Sequence, residues 1–238
     1  MIRRSILALL AAVLALMVSA VPASAGVKNP IVQPDKMYAG ETYGEWSAKW
    51  WQYAVRVTDP NADCTVNQSG PVWFLAGAAS SNGQPVHLSC SVPAGKAIFV
   101  PVINSEWSTN EDMGCGNTYQ SLLACAATPM DLVTQRSFSI DGVPVDLGPN
   151  PQNQSAFRVQ SPPPPFTINA IVGNSFVPAG TGTSVADGFY VLVRPLTPGS
   201  HRLLFSGTIT FADGSTFLIN TDYRVTVGHY YSTFSSRA

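Results

Sequence analysis

Three carboxylates crowd the middle of the chain, Glu106, Glu111 and Asp112, within a polar stretch, 104–117, that follows an apolar run. Two carboxyl groups flanking a sugar linkage are the apparatus of glycoside hydrolysis, provided that the surroundings keep a proton on one of them. The oxygens of Asn104, Glu106, Glu111 and Asp112, with Asn110 beside them, equally suit Ca²⁺, which takes about six to eight oxygen ligands. No D-x-D-x-D-G loop accompanies them, and a solvated acidic loop accounts for the same residues without any chemistry. Glu45 is a further acid, set among tryptophans. Thr42-x-x-Glu45 also reads as a capping box, in which hydroxyl and carboxylate each take a free backbone N–H.

Five tryptophans offer flat faces for sugar rings or cations. Trp46 and Trp50 share one helical stripe with Tyr43 and Tyr53, the pattern of a core-facing surface. Trp51 falls off that stripe and Trp107 lies in the polar stretch, which makes these two the ligand-contact candidates. His87, His201 and His229 are isolated, without H-E-x-x-H or H-x-H spacing. His201 opens a strand after Pro198-Gly199, where a hydrogen-bonded structural imidazole is the default; as an alternative it joins Glu45 as a possible helper to Glu106. There is no G-x-S-x-G elbow, no P-loop and no G-x-G-x-x-G, so no nucleophilic serine and no nucleotide cofactor are expected.

The elements that must position these residues are mainly strands. One helix is expected from the capping box at Thr42 onwards, because Tyr43, Trp46, Trp50, Tyr53 and Val57 recur at spacings of three and four before Asp59-Pro60 ends it. Short β-rich runs follow at 72–76 and 97–103, and the stretch 104–117 is expected to be a long loop. Residues 118–126 read as a short helix, and Thr128-Pro129 as the start of another. Asp141-Gly142 is a two-residue hairpin signal. Short strands are expected at 157–160, 166–168 and 189–194. The runs 203–211 and 215–227 form the clearest hairpin, joined at Asp213-Gly214, with Phe217, Ile219, Thr221, Tyr223, Val225 and Val227 on one side of a pleated sheet. The expected fold is mainly β, an antiparallel β-sandwich with a Trp-rich N-terminal helix and one or two short helices.

Export frames all of this. Residues 1–25 read as a signal peptide, with Arg3 and Arg4, an apolar run over 6–18 and an Ala23-Ser24-Ala25 cleavage site. Residues 26–238 are then one secreted domain, extracellular, periplasmic or held at the cell envelope, with no stable membrane insertion after cleavage. Without the two arginines the formal net charge of −1 becomes −3, and no Lys/Arg cluster remains. Nucleic acid is therefore not an expected partner. Cys64, Cys90, Cys115 and Cys125, an even number in an oxidising compartment, point to two disulfides. Of the three pairings they allow, the sequential one, Cys64–Cys90 and Cys115–Cys125, is favoured. Spacings suited to a four-thiolate zinc site are absent.

Several segments taken together resemble a family of secreted bacterial proteins to which no activity is attached. They are Tyr43-Gly44-Glu45-Trp46-Ser47-Ala48-Lys49-Trp50-Trp51, Gly70-Pro71-Val72-Trp73-Phe74-Leu75-Ala76-Gly77, the run from Cys90-Ser91-Val92-Pro93-Ala94-Gly95-Lys96 to Asn104-Ser105-Glu106, then Ala186-Asp187-Gly188-Phe189-Tyr190, Pro198-Gly199-Ser200-His201 and Tyr223-Arg224-Val225-Thr226-Val227. The resemblance implies a Trp-rich helix, a cysteine-flanked strand pair and a closing β-sandwich.

Two functional readings follow. The first is a secreted or envelope-associated binding domain for a glycan or protein, without catalysis or cofactor. It predicts an exposed aromatic patch and no buried carboxylate of raised pKa. The second is a secreted polysaccharide hydrolase using Glu106 with Glu45 or His201. It predicts that these groups meet in one cleft, with carboxylates about 5–10 Å apart.

Overall fold

The computed structural model describes residues 30–111, 114–149 and 155–228. The expected signal peptide, Asp112 and His229 lie outside them. Two sheets face each other. The first is built on β9 (Gly180–Val193), which pairs along one edge with β4 (Ala97–Ser108) and along the other with β1 (Ile31–Val32), β7 (Arg158–Gln160) and β8 (Phe166–Ala170). On the far side of β4 lies β2 (Val72–Phe74), in parallel. The second sheet runs in the order β3 (Val86–Val92), β11 (Thr216–Val227), β10 (Gly199–Thr210), β5 (Val133–Ile140) and β6 (Val143–Pro144). Its β3–β11 pair is parallel and the rest antiparallel. The fold is thus mainly β and sandwich-like, with parallel pairing confined to two sheet edges.

Helix α1 (Tyr43–Ala54) forms where the apolar spacing places it, and its capping box is complete: Thr42 accepts from the Glu45 N–H while the Glu45 carboxylate accepts from the Thr42 N–H. Tyr43 and Trp50 are fully buried. The Tyr43 hydroxyl donates to the Val32 carbonyl and accepts from the Leu192 N–H, and its ring meets Phe99 edge-on, so the helix covers one face of the first sheet. Trp51 is also buried, at 6% exposure. The segment after β8 folds back over the helix, where Ile171 N–H bonds the Val55 carbonyl and the Phe176 ring packs edge-on to both Trp50 and Trp51. A single apolar stripe therefore understates this helix, which is wrapped on a second side.

Two further expectations are corrected. The stretch 104–117 is not one long loop, because β4 continues through Ser108, paired residue by residue with β9. Thr128-Pro129 does not open a new helix either. A single α2 (Tyr119–Asp131) runs through Pro129, with the Thr128 hydroxyl bonded to the Ala124 carbonyl and Met130 fully buried. The Asp141-Gly142 hairpin forms as expected, both residues having positive φ, 51° and 80°, as a type I′ turn requires.

Disulfides join Cys64 to Cys90 and Cys115 to Cys125. The first ties the segment after α1 to the edge of the second sheet; the second closes the approach to α2. Such bonds are the mark of an oxidising, extracytoplasmic environment. No helix among the described residues is long and apolar enough to cross a membrane.

Between the sheets, Phe138, Phe205 and Tyr223 stack across β5, β10 and β11 at 6.1 and 6.3 Å. The backbones come closest at Gly207, where a Cβ would stand 2.5 Å from Ile103 Cβ and 3.1 Å from the Val102 carbonyl. Neither atom is the end of a flexible side chain. Gly207→Ala should therefore lower stability by about 1–3 kcal/mol, read as a fall in melting temperature, whereas Gly228→Ala, with open space around it, should be nearly neutral. Equal melting temperatures for the two variants would mean that the sheets are not in contact at Gly207.

Candidate functional site

The carboxylate candidates are positioned by an irregularity in β4. Phe99 pairs with Leu192 and Pro101 with Tyr190, but the register then slips, so that Ile103 faces Phe189 and Asn104 faces Gly188. Val102 is the extra residue. An extra residue of this kind is a bulge, which turns the strand over beyond it. The slip changes which side chains share a face. Beyond it Asn104, Glu106 and Ser108 stand with Ser184, Gly188 and Tyr190 on the side covered by α1, while Ser105 and Trp107 join Asp187 on the other. Gly188 is required there, since a Cβ would lie 2.7 Å from Asn104 Cα.

Glu106 is consequently buried, at 8% exposure. One of its carboxyl oxygens accepts from the Ser184 hydroxyl. Glu111 turns back from the short loop after β4 and accepts from the Ser108 N–H at 2.7 Å and from the Ser108 hydroxyl, close enough for its charge to act on Glu106. Burial is the main force on Glu106 and the Glu111 charge the second; together they outweigh the serine hydroxyls and push its pKa from the usual 4.5 to about 8. At neutral pH Glu106 keeps its proton. Further along the same face the Tyr190 hydroxyl lies beside the Asn104 amide and the Trp51 indole. The Trp51 Nε1, Asn104 Nδ2 and Tyr190 Oη atoms are all buried without a well-aligned hydrogen bond.

Of the candidates read from sequence, Glu106, Glu111, Asn104 and Trp51 thus gather on one buried face. Glu45 stays at the head of α1, where its bonds to Thr42 hold its pKa below the usual range. His201 engages Asp141 through Nδ1 and the Thr197 carbonyl through Nε2, each at 2.8 Å. Trp107 is half-buried on the opposite face of β4, its indole N–H enclosed. No hydrogen bond or ion pair among the described residues joins Glu106 to Glu45 or His201. Among the described residues no group of three or more His, Cys, Asp and Glu side chains is placed to hold a metal ion.

A second constellation lies on the outer face of the second sheet, in an open groove of about 770 Å³ lined by His87, Ser89, Ser200, Arg202, Asp222 and Arg224, with Asp141 and His201 at its end. The register builds it. Arg224 stands directly between Ser89 and Arg202 across three strands, and Asp222 directly beside His87. Asp222 receives Arg202 on both oxygens, at 2.8 Å each, and His87 Nδ1 at 2.9 Å. Sequence reasoning singled out none of the arginines. The signal was present, since Asp222 and Arg224 fall on the positions alternating with Thr221, Tyr223 and Val225, the outward side of the same strand.

A third cluster sits on the side of the first sheet that carries Asp187. Asp187 is fully buried and takes a bidentate bond from Arg158, at 3.0 and 2.8 Å, with Gln160 at 3.1 Å. Arg158 also reaches Asp131 on α2 at 2.6 Å. These bonds pin α2 to β7 and β9, and every charge is matched.

The shift on Glu106 carries a pH dependence with a definite sign. Its carboxyl pKa is higher folded than unfolded, so ionising it opposes folding. The stability tied to its proton is complete below about pH 4.5 and is lost as pH rises through about 8. Glu106→Gln should accordingly melt higher than the parent protein at pH 8.5, by on the order of a few kcal/mol, with the gap closing near pH 5. A gap that is the same at both pH values would show that Glu106 is ionised throughout.

No family model, curated protein or solved structure matches this chain.

Proposed function

We propose that the protein is a secreted or envelope-associated binding domain that holds an extracytoplasmic ligand, without turning it over, in the groove on the outer face of its second sheet. The observation that carries this reading is the groove itself: side chains from three adjacent strands, His87, Ser89, Arg202 and Arg224 among them, converge on an open depression of about 770 Å³. Rigid strands hold recognition groups more accurately than loops do. The alternating outward set on the clearest hairpin, the signal-peptide pattern and the two disulfides agree with such a role.

One expectation attached to this reading fails, and one is weakly met. Glu106 is a buried carboxylate of raised pKa, and the exposed aromatic rings, Phe176, Phe211 and Phe217, are each only about two-fifths exposed. The raised pKa favours the second reading, a polysaccharide hydrolase with Glu106 as its acid. Against it stands the burial of that acid. Glu106 is enclosed, at 8% exposure, which leaves no room for a sugar ring against its carboxyl group.

The two readings part in one experiment. Purified disulfide-bonded protein is run through gels containing a panel of soluble polysaccharides, and the same mixtures are assayed for new reducing ends. Binding predicts retarded migration with no reducing ends above the blank over a day. Time-dependent release of reducing ends that disappears in Glu106→Gln would replace this reading with the hydrolase.

A further inference from the structure

Arg224 is a cation without a counter-charge. The carboxylate nearest to it along β11, Asp222, is already occupied by Arg202 on both oxygens and by His87. No ion-pair partner for Arg224 is found among the described residues, and its side chain is exposed. The residue directly across the ladder from it is a second arginine, Arg202. Like charges directly opposite each other on neighbouring strands destabilise a sheet, and nothing in the fold of the second sheet requires this one. Arg202 spends Nε and Nη2 on Asp222 and leaves Nη1 free on a side chain that is 62% exposed. Two guanidinium groups therefore offer N–H donors to one spot on the sheet.

What surrounds that spot narrows the ligand. Ser89 stands beside Arg224 in the ladder, Ser200 is two residues before Arg202 on β10, and both hydroxyls are without a partner among the described residues. The His87 ring is 76% exposed, with Nδ1 on Asp222 and Nε2 turned outward. Half-buried Leu88 is the one aliphatic residue in the lining and no Phe, Tyr or Trp joins it, so the groove lacks the broad apolar centre of a protein interface and the aromatic platform that a neutral sugar ring stacks on. Arg202 and Arg224 suffice for one oxyanion, whereas a nucleic-acid backbone is gripped by a run of basic residues that this chain lacks. A planar oxyanion matched by arginine forks, carried on a unit rich in hydroxyl groups, fits what remains.

Resting on the reading of this groove as a binding site, we propose that it recognises an acidic sugar unit: a carboxylate or sulfate oxyanion seated between Arg224 and Nη1 of Arg202, with sugar hydroxyls on Ser89, Ser200 and His87. The ligand supplies the negative charge that the Arg202–Arg224 pair lacks.

The test uses the purified protein with three soluble polymers at low salt and neutral pH: polygalacturonate for the carboxylate, dextran sulfate for the sulfate, and unmodified dextran as the neutral arm. Retention by one or both acidic polymers and none by dextran is expected, weakening as salt is raised. Arg224→Gln, which breaks no bond in the fold, should weaken that retention about ten-fold or more with an unchanged melting temperature. Arg56→Gln, an exposed arginine at the end of α1, should leave it intact. The carboxylate and sulfate arms decide which oxyanion is bound. Three results overturn the acidic-sugar assignment: retention by dextran that Arg224→Gln does not change, equal weakening by Arg56→Gln, and no retention by any of the three. The first leaves the binding-domain reading standing, because ligand would still be held without turnover. The hydrolase result described above would remove that reading whatever the outcome here.

Discussion

The bulge at Val102 is the constraint on which the rest of the first sheet depends. Pro101, opposite Tyr190, is the last residue in register before the slip, and its nitrogen faces away from β9, since the Tyr190 N–H goes to the Phe157 carbonyl on the other edge. Slipping by one residue turns the remainder of β4 over. Asn104, Glu106 and Ser108 are sent beneath the helix-covered side rather than Ile103, Ser105 and Trp107. Ile103 is sent the other way, onto Gly207, and this contact sets how closely the two sheets approach. The same irregularity thus places a carboxyl group in the interior and determines the fit between the layers.

Once Glu106 is inside, its neighbours follow from elementary electrostatics. A buried carboxylate needs hydrogen-bond donors or a proton. Ser184 supplies one donor, and the charge of Glu111, which takes both donors of Ser108, makes the proton the cheaper remedy. Asp187, next to Gly188 on β9 and on the opposite face, meets burial differently, by taking a bidentate arginine. Both arrangements close on themselves. The outer face of the second sheet does not, because its one buried carboxylate, Asp222, satisfies Arg202 and His87 and leaves Arg224 over. The buried carboxyl groups of the first sheet are met from within the fold, whereas Arg224 on the second has no counter-charge among the described residues.

The parts legible in the sequence were those whose cause is local. The capping box and the three-and-four spacing from Tyr43 to Tyr53 fix α1 without help from the rest of the chain. Asp141-Gly142 and the alternation from Phe217 to Val227 do the same for two hairpins. The sequential disulfide pairing needed only proximity along the chain. What was not legible depends on distant partners. Asn104-Ser105-Glu106-Trp107-Ser108 has the composition of a loop and becomes strand because β9 offers a complete ladder. Trp51 is off the apolar stripe of its helix and is buried because Phe176, far along the chain, closes over it. The Arg224 site needed the register of β3, β10 and β11 together, and β3 pairs in parallel with a strand more than a hundred residues away. Glu106 was recognisable as a candidate; its enclosure and its closeness to Glu111 were not.

The central claim is that ligand meets the outer face of the second sheet while the Glu106 cluster serves the fold. Amide chemical shifts of isotope-labelled protein, followed as an acidic oligosaccharide is added, test it most directly. The account predicts that the moving resonances lie in β3, β10 and β11, around His87, Ser89, Arg202 and Arg224, with Glu106, Glu111, Ser184 and Tyr190 unmoved. Shifts centred on Glu106, Glu111 and Trp51, with the second sheet silent, would contradict it.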